Sequence, residues 1–386
     1  MRKHVEKILN HQRDLLSPQA VSAVETAMRE LQRAAAGSSD AAALEKQMEA
    51  LETAANKWLK PYPNAAWREN VEVLLVALTV AMGIRTFFLQ PFKIPTGSMQ
   101  PTLFGVTSVP DFSPGRDPAT QVAAAANLVI PGAWQRVCEW FAGVSYLQLR
   151  AKVDGRLERV NPPVKFLIFN ILQTLEIGGS THWMLFPPDY GGSTLEQRAG
   201  LHPGQFFKQG EEVVRMKIAS GDHLFVDRVN YNFRAPRRGE IIVFETKGIP
   251  EERRYAFNIP GDQFYIKRLV ALGGEHVQIG NDRHLIIDGR RLDDSTPHFE
   301  KVYSCNPNDP PRESHYSGHV DGNSPYFSGK PDGVPVPPGE IMVMGDNTMN
   351  SLDSRYWGPF PATYVIGKSF FVYWPFTERF GWGYHR

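Results

Sequence analysis

The chain has 386 residues, with 42 Lys and Arg against 41 Asp and Glu, and a formal net charge of +1 at pH 7. This length suits one large domain or two smaller ones, and the balanced charge gives no case for a nucleic-acid partner. The two cysteines, Cys138 and Cys305, are far apart in the sequence, which argues against a cysteine-based metal site. They either pair or stay as free thiols. The first apolar run comes too late in the chain for a cleavable signal peptide.

Residues 1–66 are predicted to form a soluble, helical N-terminal arm. Ser17 followed by Pro18 is typical of a helix start, and a break at Gly37-Ser38-Ser39 precedes a second helix that Asp40 can cap. The pattern therefore predicts a helical hairpin with charged outer faces. It is either an arm that binds a partner or oligomerises, or a solvated extension.

Residues 67–92 form an apolar segment that we predict to be a transmembrane helix. Its uncharged centre is short for a span of about 20 residues, but the run is long enough when counted through Phe92. Arg85 then lies near the far interface, where a long side chain reaches water. Trp67 at one end and Phe87 and Phe88 at the other are typical of aromatic belts. A buried core helix is the alternative, and the flanking basic residues slightly favour a cytoplasmic N-terminus.

One serine follows this segment closely. Ser98 lies between Gly97 and Met99, in a frame set by Pro95 and Pro101. Each proline fixes its own φ and pushes the preceding residue towards extended geometry, and the glycine removes bulk beside the hydroxyl. A hydroxyl presented in this way suits a nucleophile, although it stays weak until a base activates it.

Residues 105–212 are the hardest part to interpret. A loop rich in Pro, Gly and Asp comes first, and Pro131-Gly132 argues against a single helix in the apolar stretch that follows. Neither apolar stretch of this region is long enough to span a bilayer. We expect a folded insertion with its own small core; the alternative is that its aromatic side chains lie against a membrane surface or another domain. These are Trp134, Trp140, Phe141, Phe166 and Phe169.

Short strands dominate from residue 213 onwards, which indicates an all-β domain. A polar stretch rich in Pro and Gly, residues 294–338, interrupts them as a long loop or loosely built excursion. The predicted strands are 224–226, 241–244, 264–272, 277–279, 285–287, 341–344 and 369–374.

Lys267 lies in the strand predicted over 264–272, and alternation places it on one face with Tyr265 and Leu269. Burial among apolar neighbours disfavours an ammonium group, so it lowers the pKa of a lysine and lets the neutral amine act as a base. An exposed lysine on an edge strand is the alternative.

A third polar stretch, 345–358, is dense in turn formers directly after a strand. Asp353 and Arg355 are spaced to form a charge-assisted pair, and Ser351 is placed to orient a nearby amine. A purely structural loop is the alternative, particularly for Asp346 and Asn347.

Together these pieces resemble bacterial type I signal peptidase, a membrane-bound serine protease with a Ser-Lys dyad. The motifs occur in the family's order and cover somewhat under half of the chain. They are Arg85-Thr86-Phe87, Pro95-Thr96-Gly97-Ser98-Met99-x-Pro101-Thr102-Leu103, Ser220-Gly221-Asp222-x-Leu224-Phe225-Val226-Asp227, Tyr265-Ile266-Lys267-Arg268, and Gly345-Asp346-Asn347-x-x-Asn350-Ser351-x-Asp353-Ser354-Arg355.

The resemblance implies a role for each motif. Ser98 is the implied nucleophile, Lys267 the general base, and Ser351 the serine that hydrogen-bonds and positions the lysine. The pair Asp353–Arg355 is implied to brace the site. The implied oxyanion hole consists of the Ser98 backbone N–H and the hydroxyl of Thr96, where many members of the family have serine.

The resemblance also implies a fold, substrates and a location. The expected fold is mainly β: an antiparallel β catalytic domain, residues 93–104 and 213–386, preceded by the helical hairpin and one transmembrane helix. The expected partners are the signal peptides of exported preproteins and the lipid bilayer, with no nucleic acid and no metal or organic cofactor. The expected location is the bacterial cytoplasmic membrane, as a single-pass protein with its catalytic domain outside. Pockets for small side chains are implied at Ile94, Pro95, Met99, Leu103, Tyr265 and Ile266.

The chain departs from the family in its long N-terminal arm, its large insertion and its Pro-rich excursion. None of these is expected to touch a catalytic motif; the insertion or the arm is available for an additional partner. Two rival functions remain from the sequence: a self-cleaving repressor-type Ser-Lys protease and a catalytically silent membrane-anchored scaffold. The apolar span argues against the first, and the intact polar motifs argue against the second.

Overall fold

The chain consists of two compact units, Met1–Val80 and Ala81–Arg386. The computed structural model describes residues 1–37, 41–60, 65–114, 116–166, 169–303, 318–321 and 324–382. Cys305 and the expected helix cap at Asp40 lie outside these ranges.

The described residues of the first unit form three helices and the first part of a fourth: α1 (Arg2–Gln12), α2 (Pro18–Gly37), α3 (Ala41–Trp58) and α4 (Ala65–Phe87). The prediction of a simple hairpin was therefore incomplete, because α1 packs as well. Its Val5 and Leu9, one turn apart, are buried with Val24 and Leu51 in one core. The predicted start of α2 at Pro18 is confirmed.

Helix α4 carries the predicted apolar segment. Residues Trp67–Phe87, 21 in number, are long and apolar enough to cross a membrane. Large apolar side chains along this stretch, such as Val73, Val76 and Met82, are exposed, which is not the pattern of a buried core helix.

After the end of α4, the second unit contains the edge strand β1 (Leu89–Lys93) and then residues 105–212, which are rich in antiparallel strands. That region contains β2 (Thr107–Val109), α5 (Pro118–Asn127), α6 (Ala133–Phe141), β3 (Val144–Arg150), β4 (Gly155–Val160), β5 (Val164–Phe166), β6 (Phe169–Ile177), β7 (Ser180–Leu185), α7 (Leu195–Ala199) and β8 (Phe206–Phe207). The break at Pro131-Gly132 separates α5 from α6, as the sequence indicates.

The remaining elements follow in a compact β-rich arrangement. They are β9 (Glu212–Ala219), β10 (His223–Asp227), β11 (Ile241–Glu245), α8 (Glu251–Ala256), β12 (Phe264–Leu272), β13 (His276–Ile279), β14 (Leu285–Ile287), β15 (Arg290–Arg291), α9 (Glu300–Tyr303), β16 (Val334–Pro335), β17 (Glu340–Met344), α10 (Ser354–Trp357), β18 (Phe360–Pro361) and β19 (Val365–Trp374). All seven strands predicted here are confirmed, and β12 and β14 have the predicted bounds.

The principal sheet has seven antiparallel strands in the order β1-β10-β19-β11-β12-β17-β18. Strand β12 lies in its interior between β11 and β17, with Lys267 opposite Ile242. Strand β1 is the terminal strand, with Lys93 opposite His223 of β10. The mainly β fold expected from the sequence is confirmed.

Residues 105–212 share a hydrophobic core with the strand that follows them. Leu157, Leu175 and Phe207 are buried together with Val214 and Met216 of β9. Strand β9 pairs with both β2 and β3, so the insertion joins the rest of the unit through a continuous three-stranded sheet.

The described parts of the excursion, residues 294–338, are packed rather than loosely built. Phe299, Val302 and Phe327 are buried against Val277 and Leu285 of the small sheet β15-β14-β13-β16. This hydrophobic core packs the described parts of the excursion against the small sheet and against strands β12 and β17 of the principal sheet.

Candidate active site

Ser98 and Lys267 are in direct contact. Ser98 lies in a short 3-10 turn, Gly97–Met99, and Lys267 comes from the interior strand β12. The Nζ of Lys267 donates a hydrogen bond of 2.7 Å to the Oγ of Ser98. Both residues are only 5% exposed, so the two groups meet in a largely water-free pocket.

Burial lowers the pKa of the Lys267 ammonium to about 8. The carboxylate of Asp353 opposes this shift, the guanidinium of Arg355 adds to it, and Asp346 opposes it weakly. A substantial fraction of Lys267 is therefore neutral near physiological pH, as a base requires. The alternative of an exposed lysine on an edge strand is wrong.

Thr96 stands at the entrance to the turn that carries Ser98. Its backbone is extended, with φ −118° and ψ 159°, and its side chain is exposed and makes no capping hydrogen bond to the turn. The hydroxyl is therefore accessible to a bound group. The Ser98 N–H belongs to the first residues of the turn, where backbone donors lack partners within a helix.

Asp353 and Arg355 form the buried ion pair that their spacing predicts. Nε and Nη2 of Arg355 donate to the two carboxylate oxygens of Asp353, each at 2.9 Å. Asp353 also accepts from the backbone N–H of Gly345 at 2.9 Å. Burial raises the pKa of Asp353, but the Arg355 guanidinium together with the hydrogen bonds from Gly345 and Ser351 holds it below its ordinary value. The carboxylate therefore stays ionised behind Lys267.

Ser351 contacts this carboxylate rather than the lysine. Its Oγ donates to Asp353 at 2.6 Å. Among the described residues no hydrogen bond joins Ser351 to Lys267, so the expected direct bond is not met in this structure. Gly345 allows the arrangement, because a Cβ there would lie 2.5 Å from the Ser98 carbonyl oxygen and closer still to the Ser351 hydroxyl.

Asn347 connects the polar stretch 345–358 to the turn that carries Ser98, a role that the sequence reasoning did not assign. Its backbone N–H donates to the Ser98 carbonyl at 3.0 Å, and its Nδ2 donates to the Gly97 carbonyl at 3.1 Å. These two bonds fix the backbone of the turn that carries the nucleophile candidate.

A second buried ion pair, Arg268–Asp346, was also missed. The guanidinium of Arg268 donates to both oxygens of Asp346, at 2.7 and 2.6 Å, and Thr102 donates to the same carboxylate at 2.5 Å. All three residues are nearly inaccessible. Both residues lie within the motifs quoted in the sequence analysis, and this position was the signal that could have identified the pair.

Thr348 connects the excursion to the Asp353–Arg355 pair. Its hydroxyl accepts from the Val320 N–H at 2.8 Å and from Nη1 of Arg355 at 2.6 Å. Nη1 of Arg355 also donates to the Val320 carbonyl at 2.8 Å. The expectation that the excursion touches no catalytic motif was wrong, because Val320 belongs to it.

The expected pocket residues separate into two groups. Ile94, Met99 and Leu103 are fully buried in one core cluster, whereas Pro95 is exposed and Tyr265 and Ile266 are half-buried. The second group alone offers surface to a bound molecule.

No metal site is evident within the described ranges of the chain, where no cluster of three or more His, Cys, Asp or Glu side chains is arranged to hold an ion. Cys138 is exposed on α6.

The sequence model of a protein family, the signal peptidases of peptidase family S26, matches residues 67–111 and 208–374, which is more than half of this chain. Signal peptidase I of Leptolyngbya laminosa is 32% identical over 160 residues, 42% of this chain and 63% of that protein. Signal peptidase I of Bacillus caldolyticus is 29% identical over 163 residues, 42% of this chain and 74% of that protein. The match thus spans slightly less than two thirds of the first relative. A solved signal peptidase I from Enterococcus faecalis aligns with 35% of this chain and 97% of that one at 26% identity, with a TM-score of only 0.24.

Proposed function

Because this chain belongs to the signal peptidase family, peptidase S26, we propose that it is a serine endopeptidase that removes signal peptides from exported preproteins. The observation that carries the proposal is the buried 2.7 Å contact between Lys267 Nζ and Ser98 Oγ. A lysine whose pKa is lowered to about 8 supplies the base that a serine nucleophile needs.

In the first half of the reaction, the neutral amine of Lys267 takes the hydroxyl proton of Ser98 while Oγ attacks the scissile carbonyl carbon. The oxyanion that forms accepts hydrogen bonds from the Ser98 N–H and the Thr96 hydroxyl, each of which supplies about 3 kcal/mol of transition-state stabilisation in comparable sites. The Lys267 ammonium then gives its proton to the departing amine, and an ester of Ser98 remains.

In the second half, neutral Lys267 takes a proton from a water molecule that attacks the ester carbonyl. The second tetrahedral intermediate uses the same two donors. Its collapse returns the proton to Ser98 Oγ and releases the signal peptide with a free carboxylate. The charges of Asp353 and Arg355 act on Lys267 throughout these steps. Asn347 holds the backbone of Ser98.

The proposed substrates carry small side chains at the first and third positions before the cleaved bond. Pro95, Tyr265 and Ile266 offer the exposed surface beside Ser98 on which such side chains would rest. Ile94, Met99 and Leu103 support this surface from within the core. The partners proposed are signal peptides and lipid, with no nucleic acid.

The proposed location is the bacterial cytoplasmic membrane, with the catalytic unit on the outer side. The apolar helix Trp67–Phe87 supports a single membrane anchor. Only ten residues separate the end of α4 from Ser98 in the sequence, which would keep the nucleophile near the bilayer surface, where a signal peptide's cleavage site emerges.

Cleavage of a model preprotein with a small-x-small site tests the proposal, with full-length protein purified in detergent. Ser98→Ala and Lys267→Ala should each lower kcat by a factor of roughly 10³ or more, since each removes one member of the reacting pair. Ser295→Ala and Lys208→Ala, which change exposed residues outside the motifs, are matched controls and should retain full activity.

Full cleavage by either Ser98→Ala or Lys267→Ala would show that this pair does not carry the reaction. Absence of cleavage by the wild-type protein on any preprotein, together with failure of a serine-reactive inhibitor to label Ser98, would favour the silent-scaffold alternative.

A further inference from the structure

The insertion reaches the strand that leads to Ser98. Its loop 187–192, called the β7–α7 loop here, connects β7 to α7. Lys93, the last residue of β1, forms a 2.7 Å ion pair with Asp189 of this loop. Asp189 is fixed in turn, because its other carboxylate oxygen accepts the N–H of Gly191 at 2.8 Å. A side chain of the insertion therefore contacts a residue five positions upstream of Ser98.

The loop also closes directly on the backbone of Pro95. Gly191 has φ +66°, and a Cβ at this position would lie 2.6 Å from the Pro95 carbonyl oxygen. Only glycine combines this backbone conformation with so close an approach. The β7–α7 loop thus lies beside the exposed residues Pro95 and Thr96.

Two buried residues hold the loop in this place. The Tyr190 hydroxyl donates to Gln173 of β6 at 2.8 Å inside the insertion core. Arg198 of α7 donates to the Tyr190 carbonyl at 2.6 Å and to the Val106 carbonyl at 3.2 Å. Its Nη1 also reaches Ser108 and Asp111. Arg198 is 5% exposed, so it joins the loop firmly to the segment that follows the serine motif.

We propose that the β7–α7 loop is a wall of the substrate channel and that the pair Lys93–Asp189 selects preproteins without charge at the substrate position that faces it. This inference rests on the proposed peptidase function. Strand β1 is terminal in its sheet and ends at Lys93, so an extended peptide on its way to Ser98 passes the loop.

The chemistry of the pair explains the selection. Lys93 and Asp189 remain 26% and 49% exposed, so their charges act on a neighbouring chain, but their sum is zero. A charged substrate residue would meet one opposite and one like charge and would lose its own hydration, whereas an uncharged residue loses little. The positive charge of Lys165 also acts on both members of the pair, but it is the same in the wild type and in every variant below, so comparing them isolates the effect of the pair.

Single-charge variants of the pair test the proposal with full-length protein in detergent. The substrates are preproteins with one Glu or one Lys placed in turn at each position on either side of the cleaved bond. Asp189→Asn leaves Lys93 unpaired, so at one position kcat/KM for the Glu substrate should rise relative to the Lys substrate by roughly three- to tenfold. Lys93→Gln should produce the opposite preference at the same position, and the double variant should show neither.

A matched control removes an ion pair of similar exposure elsewhere. Asp282→Asn breaks the Arg291–Asp282 pair of the small sheet and should leave every preference unchanged. Identical charge preferences in the wild type and both single variants would overturn the proposal. An equal increase in kcat/KM for all substrates in Asp189→Asn would also overturn the proposal. It would mean that the loop covers the site without distinguishing charged from uncharged substrates.

These outcomes are separate from failure of the peptidase function itself. Cleavage of the neutral reference preprotein by the wild-type protein, and its loss in Ser98→Ala, establish that function independently of the charge scan.

Discussion

Arg355 lies between Asp353 and Val320, donating 2.9 Å hydrogen bonds to the carboxylate of the first and a 2.8 Å hydrogen bond to the carbonyl of the second. The ion pair behind Lys267 is thereby attached to the Pro-rich excursion. Thr348 completes the link, since its hydroxyl accepts from both Val320 and Arg355. A segment outside the shared motifs thus supports the ion pair whose charges act on Lys267.

Thr348→Val should weaken this link. The substitution keeps the shape of the side chain but leaves the Val320 N–H and Nη1 of Arg355 without this acceptor, which should cost about 1–3 kcal/mol of stability. Arg355 lowers the pKa of Lys267, so a looser Arg355 should move the acidic limb of the pH profile of kcat/KM to higher pH.

Thr348→Ser is the matched control, because it retains the hydroxyl and should restore the wild-type profile. Loss of stability in Thr348→Val with an unchanged pH profile would mean that Thr348 supports the fold without positioning the base.

The pH dependence of the reaction should follow Lys267. Only the neutral amine accepts the Ser98 proton, so kcat/KM should rise roughly tenfold per pH unit below the pKa and level off above it. Burial places that pKa at about 8. Lys267→Arg should be inactive at every pH, because a guanidinium stays protonated. A flat profile in the wild-type protein between about pH 6 and pH 9 would contradict the role of Lys267 as the base.

The same lysine should make stability depend on pH. The pKa of Lys267 is about 8 in the folded protein and 10.5 in the unfolded chain, where the lysine is exposed to water. Between these two pH values the unfolded chain therefore binds more protons than the folded protein. Stability should therefore rise with pH through this window, and the buried lysine should cost roughly 3 kcal/mol below pH 8.

Lys267→Met should accordingly stabilise the protein at pH 7 and lose this advantage as the pH approaches 10.5. Thermal unfolding followed by tryptophan fluorescence measures the difference, with the exposed Lys208→Met as the control. Equal unfolding midpoints for wild type and Lys267→Met at both pH values would argue against a buried, neutral lysine.

Gly345→Ala should damage the site without removing a polar group. The added methyl would meet the Ser98 carbonyl oxygen at 2.5 Å and the Ser351 hydroxyl even more closely, so the nucleophile's backbone must shift. A displacement of this kind should lower kcat by about a hundredfold. Gly132→Ala, where a Cβ meets nothing within 4 Å, is the control. Wild-type activity in Gly345→Ala would show that the site tolerates such a shift.

Asp346→Ala should destabilise the protein strongly. It leaves Arg268 buried and unpaired, which typically costs about 3–5 kcal/mol. Asp282→Ala, which breaks an exposed pair, should change stability by less than about 1 kcal/mol. Similar values for the two variants in chemical denaturation would mean that water reaches Arg268.

Local patterns in the sequence were enough to predict seven strands after residue 213, the apolar helix and the Asp353–Arg355 pair, whereas the strands of residues 105–212 were not predicted. Strand alternation, a long apolar run and a two-residue spacing are all properties of neighbouring residues, and they predicted β12 and β14 with the bounds observed. The motif resemblance added Ser98 and Lys267 as a pair, although alternation alone left Lys267 open between a buried and an exposed lysine.

Tertiary structure decided the contacts between residues far apart in the chain. The interior position of β12 buries Lys267 and lowers its pKa, and neither effect is a property of the strand itself. The same holds for Val320 at Arg355 and for Asp189 at Lys93, because hydrogen bonds and ion pairs depend on distances that the chain order does not contain. The sequence by itself therefore determined which chemical groups are present and where the main strands of the region after residue 213 run. Folding decided which of those groups meet, and that meeting sets the charge state of the base.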